Sequence, residues 1–397
     1  MDLIGWVIFI VALLFSVMLH ESGHFVTAKK FGMKVTRYFV GFGPTLWSTR
    51  RGETEYGIKA LPLGGFVKIV GMTSLDDVDP EDEPRSFRRH PAWQRIIVLC
   101  AGSFMHFVLA FLLIFGLALG IGIENDNTTQ LGTVSSCVAS SVTQLNNGTC
   151  RASDKPSPAR QAGLRLGDQV KSFDGTPVSN WTQLGNAIRH ARPGSPVTVT
   201  VLRHGQTLTL HATLATVKGR SGGYLGIAPT VVFSSANPVR AAQYAGSAFG
   251  QVLVGSAKAV AALPAALPKL FSKDRGSTAG GQVSSVVGAA EATGTAVAAN
   301  VGWQFKVSFV LLLIASLNIF VGAFNMVPLL PLDGGHVAVV VWERIRAWFA
   351  RLRKRPDPGL VDMAKLLPVS FSIFMILIFF SVALVLADIV NPVNIAG

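Results

Sequence analysis

Apolar residues are gathered into four long runs instead of being spread along the chain. The runs contain no Asp, Glu, Lys or Arg and cover Leu3–Leu19, Ile96–Ile123, Val307–Leu332 and Val369–Ala387. About 18–20 apolar residues are needed for a helix to cross the hydrocarbon core of a bilayer. The pattern therefore predicts a polytopic α-helical membrane protein with four transmembrane helices.

The first run differs from a secretory signal peptide. A signal peptide carries Lys or Arg before its apolar run and small residues at a cleavage site after it. Here no Lys or Arg precedes Leu3, and the run leads into His20-Glu21-Ser22-Gly23-His24. We therefore expect a permanent span.

The segment between the first two runs has the composition of turns and strands. Residues 38–71 are rich in Gly and Pro and alternate in polarity, which is typical of short strands and hairpins. We expect a membrane-associated β-hairpin region, with an edge strand in a hairpin at 55–70. Residues 73–90, which contain Pro80 and Pro84, are expected to form an exposed loop.

The segment 126–231 has the pattern of a small, β-rich soluble domain. Val197–Val201 and Leu208–Leu214 alternate between apolar and polar residues as strands do. Asp174-Gly175 predicts a hairpin turn, and Trp181–His190 is expected to form one short helix.

The segment 232–302 is rich in Ala, Gly and Ser, with Val and Leu at loose helical spacing. We expect amphipathic helices at the membrane surface that lead into the third span. A flexible linker is the alternative for 274–300. The chain is thus expected to comprise four parts: 1–125, 126–231, 232–302 and 303–397.

Charged residues are sparse and unevenly placed. Only 14% of the 397 residues are charged, and the formal net charge is +13, whereas roughly a quarter are charged in soluble chains. Lys and Arg collect in 29–95 and 344–365, as they do in cytoplasmic loops. We therefore expect a protein of the cell inner or plasma membrane, with these loops in the cytoplasm and both termini and 126–231 outside. The basic residues are not interleaved with stacking aromatics, so no nucleic-acid partner is expected.

The three cysteines lie in two kinds of segment. Cys100 belongs to the second apolar run and is expected to pack there. Cys137 and Cys150 belong to the segment that is expected outside, where disulfides form. They are therefore either bridged or two free thiols in a loop.

A metal-binding pattern lies at the end of the first run. His20-Glu21-Ser22-Gly23-His24 matches H-E-x-x-H, and residues four apart share one helix face, so both imidazoles can bind one Zn²⁺. The glutamate between them can take a proton from a metal-bound water. Ionisable residues at the end of a span are costly unless they serve a function. We therefore predict a catalytic zinc site with Glu21 as the base.

A catalytic zinc also needs a third protein ligand and an open position. Asp333 follows the third apolar run, and the helix around it is broken by Pro328, Pro331, Gly334 and Gly335. Unwound backbone at membrane depth occurs where it lines a cavity or is buried in protein. Asp333 is therefore the candidate third ligand; its alternative role is to cap the following helix.

The two motifs together resemble the bacterial form of the site-2 protease family, the intramembrane zinc metalloproteases. They are His20–His24 and Asn325-Met326-Val327-Pro328-Leu329-Leu330-Pro331-Leu332-Asp333-Gly334-Gly335. Gly64–Lys68 and Pro91–Ile96 are similar to further segments of that family. The resemblance implies that His20, His24 and Asp333 bind one Zn²⁺ and that Glu21 is the general base. It also implies that Asn325 positions the substrate backbone or the developing oxyanion.

The same resemblance implies the substrates. They would be single-span membrane proteins, such as anti-sigma factors trimmed outside by another protease, or remnant signal peptides. Ser157–Val178 is similar to the most regular part of bacterial PDZ domains. This implies one extracytoplasmic PDZ domain whose groove takes peptides or substrate termini by strand addition, with a regulatory or size-filtering role. Gly132–Lys155 resembles an insertion in that domain.

Three positions depart from the family pattern. Pro331 comes one place later than usual, and Asn318 lies seven residues before Asn325 instead of five. His106 stands where Asn is common. We expect His106 and His336 to be packed or hydrogen-bonded, because three metal ligands are already present.

Two other classes of function share part of this pattern. A membrane-anchored PDZ adaptor or chaperone would carry a structural metal site, but the base Glu21 is intact. A metal or ion transporter would need more intramembrane polar residues and internal repeats. Intramembrane proteolysis is the function that we expect.

Overall fold

The computed structural model describes residues 3–72, 76–125, 128–140, 150–218, 222–230, 232–266, 285–298 and 302–390. In chain order its elements are α1 (Leu3–Lys30), β1 (Val35–Arg51), β2 (Thr54–Ile69), α2 (Ala92–Gly120), β3 (Ile123–Asn125), β4 (Leu131–Val134), α3 (Pro158–Gln161), β5 (Gln169–Phe173), β6 (Thr176–Pro177), α4 (Trp181–His190), β7 (Pro196–Arg203), β8 (Gln206–Thr213), β9 (Ile227–Pro229), β10 (Val232–Ser234), α5 (Pro238–Ala266), α6 (Val286–Ala298), α7 (Trp303–Asn325), α8 (Asp333–Leu352) and α9 (Leu367–Val390). The chain divides into two compact units. The first comprises Met1–Gly116, Arg240–Asn300 and Lys306–Val393, and the second is mainly Leu117–Val239.

Four helices are long and apolar enough to cross a membrane, as predicted: Leu3–Lys30, Ala92–Gly120, Trp303–Asn325 and Met363–Val390. Two of them differ most from the apolar runs at their C-terminal ends. α1 continues beyond Leu19 to Lys30 because no proline interrupts it. α7 ends at Asn325, well before Leu332, because Pro328 and Pro331 cannot continue a helix.

β1 and β2 form a curled antiparallel hairpin in the first unit. Their strands are long, where short strands were predicted. Tyr38–Val40 pairs with Gly65–Val67 on one side and with Tyr56–Ile58 on the other, and the latter residues also pair with 47–49. Within the segment 55–70, the expected edge strand is therefore confined to the last part, 65–69, which we call the outer arm.

The segment before α2, which was predicted to be an exposed loop, is exposed at Pro80 and Pro84 but buried at Ser86 and Phe87. It contains two 3-10 helices, Glu83–Arg85 and Phe87–Arg89. Phe87 is buried in an apolar cluster whose other members include Ala28 of α1, Val35 of β1, Leu99 of α2 and Val340 of α8. The cluster excludes water from the space between these elements, which fixes the helices that carry the polar site. Residues 73–75 lie outside the described residues.

The predicted helices of 232–302 are α5 and α6, and both belong to the first unit. Their place at the membrane surface stays a prediction. Ala245 of α5 is buried in an apolar cluster with Ala110 of α2 and Ala315 of α7, and the small side chains allow close helix approach. The linker alternative is wrong for the described residues 285–298, since they contain α6. Gly294 of α6 approaches Gly5 of α1 so closely that a Cβ at Gly5 would meet its Cα at 2.6 Å.

The second unit is built around a four-stranded antiparallel sheet in the order β6-β5-β7-β8. The predicted turn at Asp174-Gly175 joins β5 to β6, with φ angles of 49° and 76°. These positive angles are those that the paired residues of a type I′ turn adopt. The predicted short helix is α4, which spans Trp181–His190.

The core of the second unit lies on one face of this sheet. The predicted strand Val197–Val201 lies within β7, and alternate residues Val197, Val199 and Val201 are buried against Leu184 of α4. β8 ends at Thr213, and Leu214, the last residue of the predicted strand, is buried just beyond it. The period-two pattern therefore identified the buried face correctly.

Candidate metal centre

α1 places two imidazoles side by side. His20 and His24 are one helical turn apart, both are buried, and their Nε2 atoms lie 3.1 Å from each other. The Nδ1 atom of His24 lies 2.7 Å from the carbonyl oxygen of Val98 on α2. Because a carbonyl only accepts hydrogen bonds, Nδ1 carries the proton and the lone pair of Nε2 faces His20. Such an outer partner is what fixes the orientation of a metal-binding histidine.

Asp333 reaches these imidazoles from the first turn of α8. Its Oδ2 atom lies 3.3 Å from Nε2 of His20 and 3.4 Å from Nε2 of His24. Asp333 is the first residue of the helix and Leu332 is its N-cap residue, so the alternative in which Asp333 caps α8 is wrong. The turn before it is compact, because Cβ atoms on Gly334 and Gly335 would overlap the backbone of Met326 and Leu330.

The three ligand atoms fit a zinc ion. Nitrogen and oxygen ligands bind Zn²⁺ at about 2.0–2.2 Å, so neighbouring atoms of a tetrahedral site lie about 3.3–3.5 Å apart. The separations here are 3.1, 3.3 and 3.4 Å. Among the described residues, buried Oδ2 of Asp333 has no hydrogen-bond donor. A buried carboxylate oxygen that faces two imidazole nitrogens without a donor is satisfied by a bound cation.

Helix α2 can approach His20 and His24 closely because glycine stands at positions 102 and 23. A Cβ on Gly102 would overlap Nε2 of His24 and the ring of His20, and a Cβ on Gly23 would overlap the carbonyl of Ala101. Gly102 and Gly23 therefore allow α1 and α2 to pack closely at the two histidines.

Glu21 lies on α1 between the two histidines and next to the outer arm of the hairpin. Its carboxylate accepts a hydrogen bond from the backbone N–H of Val67. The contact is close, since a Cβ on Gly65 would lie 3.3 Å from Cγ of Glu21 and 3.0 Å from the carbonyl oxygen of Phe39. The outer arm therefore runs directly beside the glutamate of the H-E-x-x-H motif.

The remaining predicted residues are less closely tied to the metal group. His106 and Asn318, two departures from the family pattern, contact each other: His106 Nδ1 lies 2.8 Å from Asn318 Oδ1. The His106 ring also packs against the ring of His20, with centroids 4.9 Å apart. Asn325 ends α7 and is half-buried, and it is not part of the ligand group.

A buried ion pair that the sequence analysis missed ties α8 to α2. Arg95 Nη2 lies 2.9 Å from Glu343 Oε2, and Glu343 Oε1 accepts a hydrogen bond from the backbone N–H of Val361. His336, on the first turns of α8, lines a small cavity of about 40 Å³ together with both members of this pair. Arg95 and Glu343 are 248 positions apart in sequence, so no local pattern could have revealed their pairing.

In the second unit, Cys137 and Cys150 are joined as a disulfide with their Cα atoms 5.8 Å apart. Cys100 is a free thiol on α2, half-buried as its position in an apolar run predicted. Residues 141–149, inside the disulfide loop, lie outside the described residues.

Comparison with known proteins identifies the family of the chain. The pattern of Peptidase family M50 matches residues 8–356. The chain is 38% identical to the zinc metalloprotease Rip1 of Mycobacterium tuberculosis over 98% of each chain. It is also 38% identical to the zinc metalloprotease Rip1 of Mycolicibacterium smegmatis, over 99% of this chain and 98% of the relative. The chain therefore belongs to peptidase family M50, the site-2 proteases, and is a zinc metalloprotease of the membrane.

Proposed function

We propose that His20, His24 and Asp333 hold the catalytic zinc and that Glu21 is the general base for peptide-bond cleavage. The observation that carries this proposal is the convergence of three ligand atoms at separations of 3.1–3.4 Å on α1 and α8. Both helices are packed through one apolar cluster, so the ligands are held before a metal binds. Preorganised ligands are expected at a site that must keep its geometry through a reaction.

Bound zinc would supply a Lewis acid and would lower the pKa of a coordinated water. The carboxylate of Glu21 then accepts a proton from the attacking water and passes it to the amine of the departing peptide. The N–H of Val67 orients that carboxylate. The amide of Asn325, at the end of α7, is proposed to position the substrate backbone or the developing oxyanion.

The proposed substrates are transmembrane segments of single-span proteins. A membrane helix hides its peptide bonds, so the segment must unwind before cleavage. The outer arm beside Glu21 offers backbone groups on which an unwound segment can pair as an added strand. The substrates would include anti-sigma factors trimmed by another protease, or remnant signal peptides.

The uneven charge supports a proposed topology in the inner or plasma membrane. Lys and Arg in 29–95 and 344–365 favour the cytoplasm for those loops. Both termini and the segment 126–231 would then lie outside, and the hairpin of β1 and β2 would associate with the membrane from the cytoplasmic side. The disulfide between Cys137 and Cys150 is consistent with an oxidising exterior.

Glu21→Gln tests the mechanism. The ligands remain, so zinc content should stay at one per chain, while cleavage of a model transmembrane substrate falls about 10²–10⁴-fold because the base is lost. Zinc is measured by elemental analysis and cleavage by gel assay in detergent. A membrane-anchored adaptor or chaperone with a structural metal site would retain its activity in this variant, and cleavage at the normal rate would exclude Glu21 as the base.

We further propose that 126–231 is a PDZ domain that filters substrates by the size of their external part. Its four-stranded sheet with the helix α4 supports this assignment. The competing role is recruitment of substrate termini in a strand-addition groove. Deletion of 126–231 should leave zinc bound in either case.

The deletion separates the two roles when trimmed and untrimmed versions of one substrate are compared. A filter predicts that untrimmed substrate begins to be cut, whereas a recruiter predicts slower cleavage of the trimmed form. Unchanged rates for both substrates would exclude both roles.

A further inference from the structure

The helix that begins with Asp333 exposes an apolar face although it is not one of the four candidate spans. Six large apolar side chains of α8 are exposed: Val341, Trp342, Ile345, Trp348, Phe349 and Leu352. Successive residues of an α-helix are about 100° apart, so these six fall within an arc of about 120°. The exposure is substantial, at 55% for Trp348 and 61% for Leu352.

Arginines lie along both borders of this arc. On the same helical spacing, Arg344 and Arg351 fall on one side and Arg346 and Arg353 on the other. Arg344, Arg351 and Arg353 are exposed, as are Lys354 and Arg355 immediately beyond the helix. Within the described part of the chain, the ion pairs include none of these five exposed cations.

An apolar arc with arginines on its borders is the pattern of a helix lying in a membrane–water interface. Its apolar side enters the boundary of the acyl chains while the cations extend to the headgroups. Tryptophan is enriched at that depth because its ring is apolar and its N–H is polar. Unpaired cations select anionic headgroups over zwitterionic ones.

We propose that this face of α8, which we call the basic–aromatic face, binds anionic lipids of the cytoplasmic leaflet. The leaflet assignment rests on the proposed topology. A second copy of the chain is a poorer occupant, because a two-fold contact would bring the same arginine clusters together. Anionic lipid instead supplies the complementary charge.

Lipid binding at the basic–aromatic face is linked to the metal centre because α8 carries both that face and Asp333. Asp333 is the first residue of α8, and the side opposite the basic–aromatic face is pinned to α2 by Glu343 and Arg95. Lipid that steadies the outer side of α8 therefore also steadies the position of the aspartate ligand. We infer that anionic lipid slows loss of the metal.

The test uses the full-length protein in nanodiscs of phosphatidylcholine that contain a minor fraction of brominated lipid, which quenches tryptophan fluorescence on contact. Brominated phosphatidylglycerol should quench more strongly than the same fraction of brominated phosphatidylcholine. Trp348→Phe should remove much of that difference, which assigns the signal to α8. The double variant Arg351→Gln/Arg355→Gln should lower the preference for the anionic lipid about tenfold.

Arg50→Gln/Arg51→Gln is the matched control, since it removes two exposed cations from the end of β1. It should retain the lipid preference at α8. Equal quenching by both lipids, or an equal loss of preference in the control, would overturn the proposal. Cross-linking of Ile345→Cys to a second copy without quenching would assign the face to a dimer instead.

A second measurement follows release of zinc to a chelator in nanodiscs with and without phosphatidylglycerol. Release from the wild-type protein should slow severalfold with the anionic lipid, and release from Arg351→Gln/Arg355→Gln should not change. If anionic lipid slows zinc release equally in the wild-type protein and in the double variant, the arginines of the basic–aromatic face do not stabilise the metal centre. Neither measurement needs substrate or turnover, so failure of the lipid proposal is distinguishable from failure of the proposed protease mechanism.

Discussion

The carboxylates of Asp333, in the first unit, and Asp168, in the second, differ in the hydrogen-bond donors that surround them. Asp168 is 1% exposed and accepts hydrogen bonds from the backbone N–H of Arg165 and from two nitrogens of Arg203, at 2.7–2.8 Å. Asp333 turns Oδ2 toward two imidazole nitrogens, and that oxygen has no donor among the described residues. A fully paired buried carboxylate holds a fold together, whereas one without donors is ready for a cation.

Converting each carboxylate to an amide tests the difference between Asp333 and Asp168 through zinc affinity and proteolysis. Asp333→Asn should lower zinc affinity and proteolysis together by more than about 100-fold, because an anionic ligand is replaced by a weak neutral one. Asp168→Asn should leave both unchanged. Zinc content and cleavage of one transmembrane substrate measure the effects, and full zinc occupancy with full activity in Asp333→Asn would remove Asp333 from the ligand set.

The close approach of α2 to the proposed metal ligands His20 and His24 can be disrupted by a substitution at Gly102, which is not itself a proposed ligand. Gly102→Val should lower zinc occupancy and activity about 10–100-fold, since its side chain would displace the rings of His20 and His24. Gly116→Val in the same helix is the matched control, because a Cβ there meets nothing within 4 Å. If both variants bind zinc like the wild-type protein, α2 does not position the ligands.

Some features of the chain could be predicted from the sequence and others could not, for a physical reason. The spans, the H-E-x-x-H pair and the turn at Asp174 depend on neighbours within a few residues, so periodicity and motif spacing revealed them. Asp333 was found because a carboxylate and two prolines interrupt an apolar run. Three other features depend on contacts between distant segments. They are the position of the outer arm beside Glu21, the space that Gly102 leaves for the two histidine rings, and the packing of α6. Small residues there carry no local signal, so the packing partners of α5 and α6 could not be predicted from the sequence.

The smallest expected effect concerns the pH dependence of the second unit. Burial raises the pKa of the Asp168 carboxyl, but hydrogen bonds from Arg203 and from the N–H of Arg165 outweigh it, so the pKa lies below its ordinary value. A depressed folded pKa contributes stability that is present above the unfolded pKa of about 3.9 and is lost as pH falls through the folded pKa. The second unit should therefore weaken as pH drops below about 4, and this component should vanish in Asp168→Asn.

At pH 7 the same substitution should lower the stability of the second unit by about 1.5–3 kcal/mol, the contribution of hydrogen bonds to a charged group. Hydrogen exchange of β5 and β7 in the full-length protein, corrected for the intrinsic rate at each pH, measures both effects. Asp174→Asn is the control, since that residue lies in an exposed turn whose positive φ asparagine also tolerates. If exchange in Asp168→Asn keeps the acid dependence of the wild-type protein, the ion pair with Arg203 is not its source.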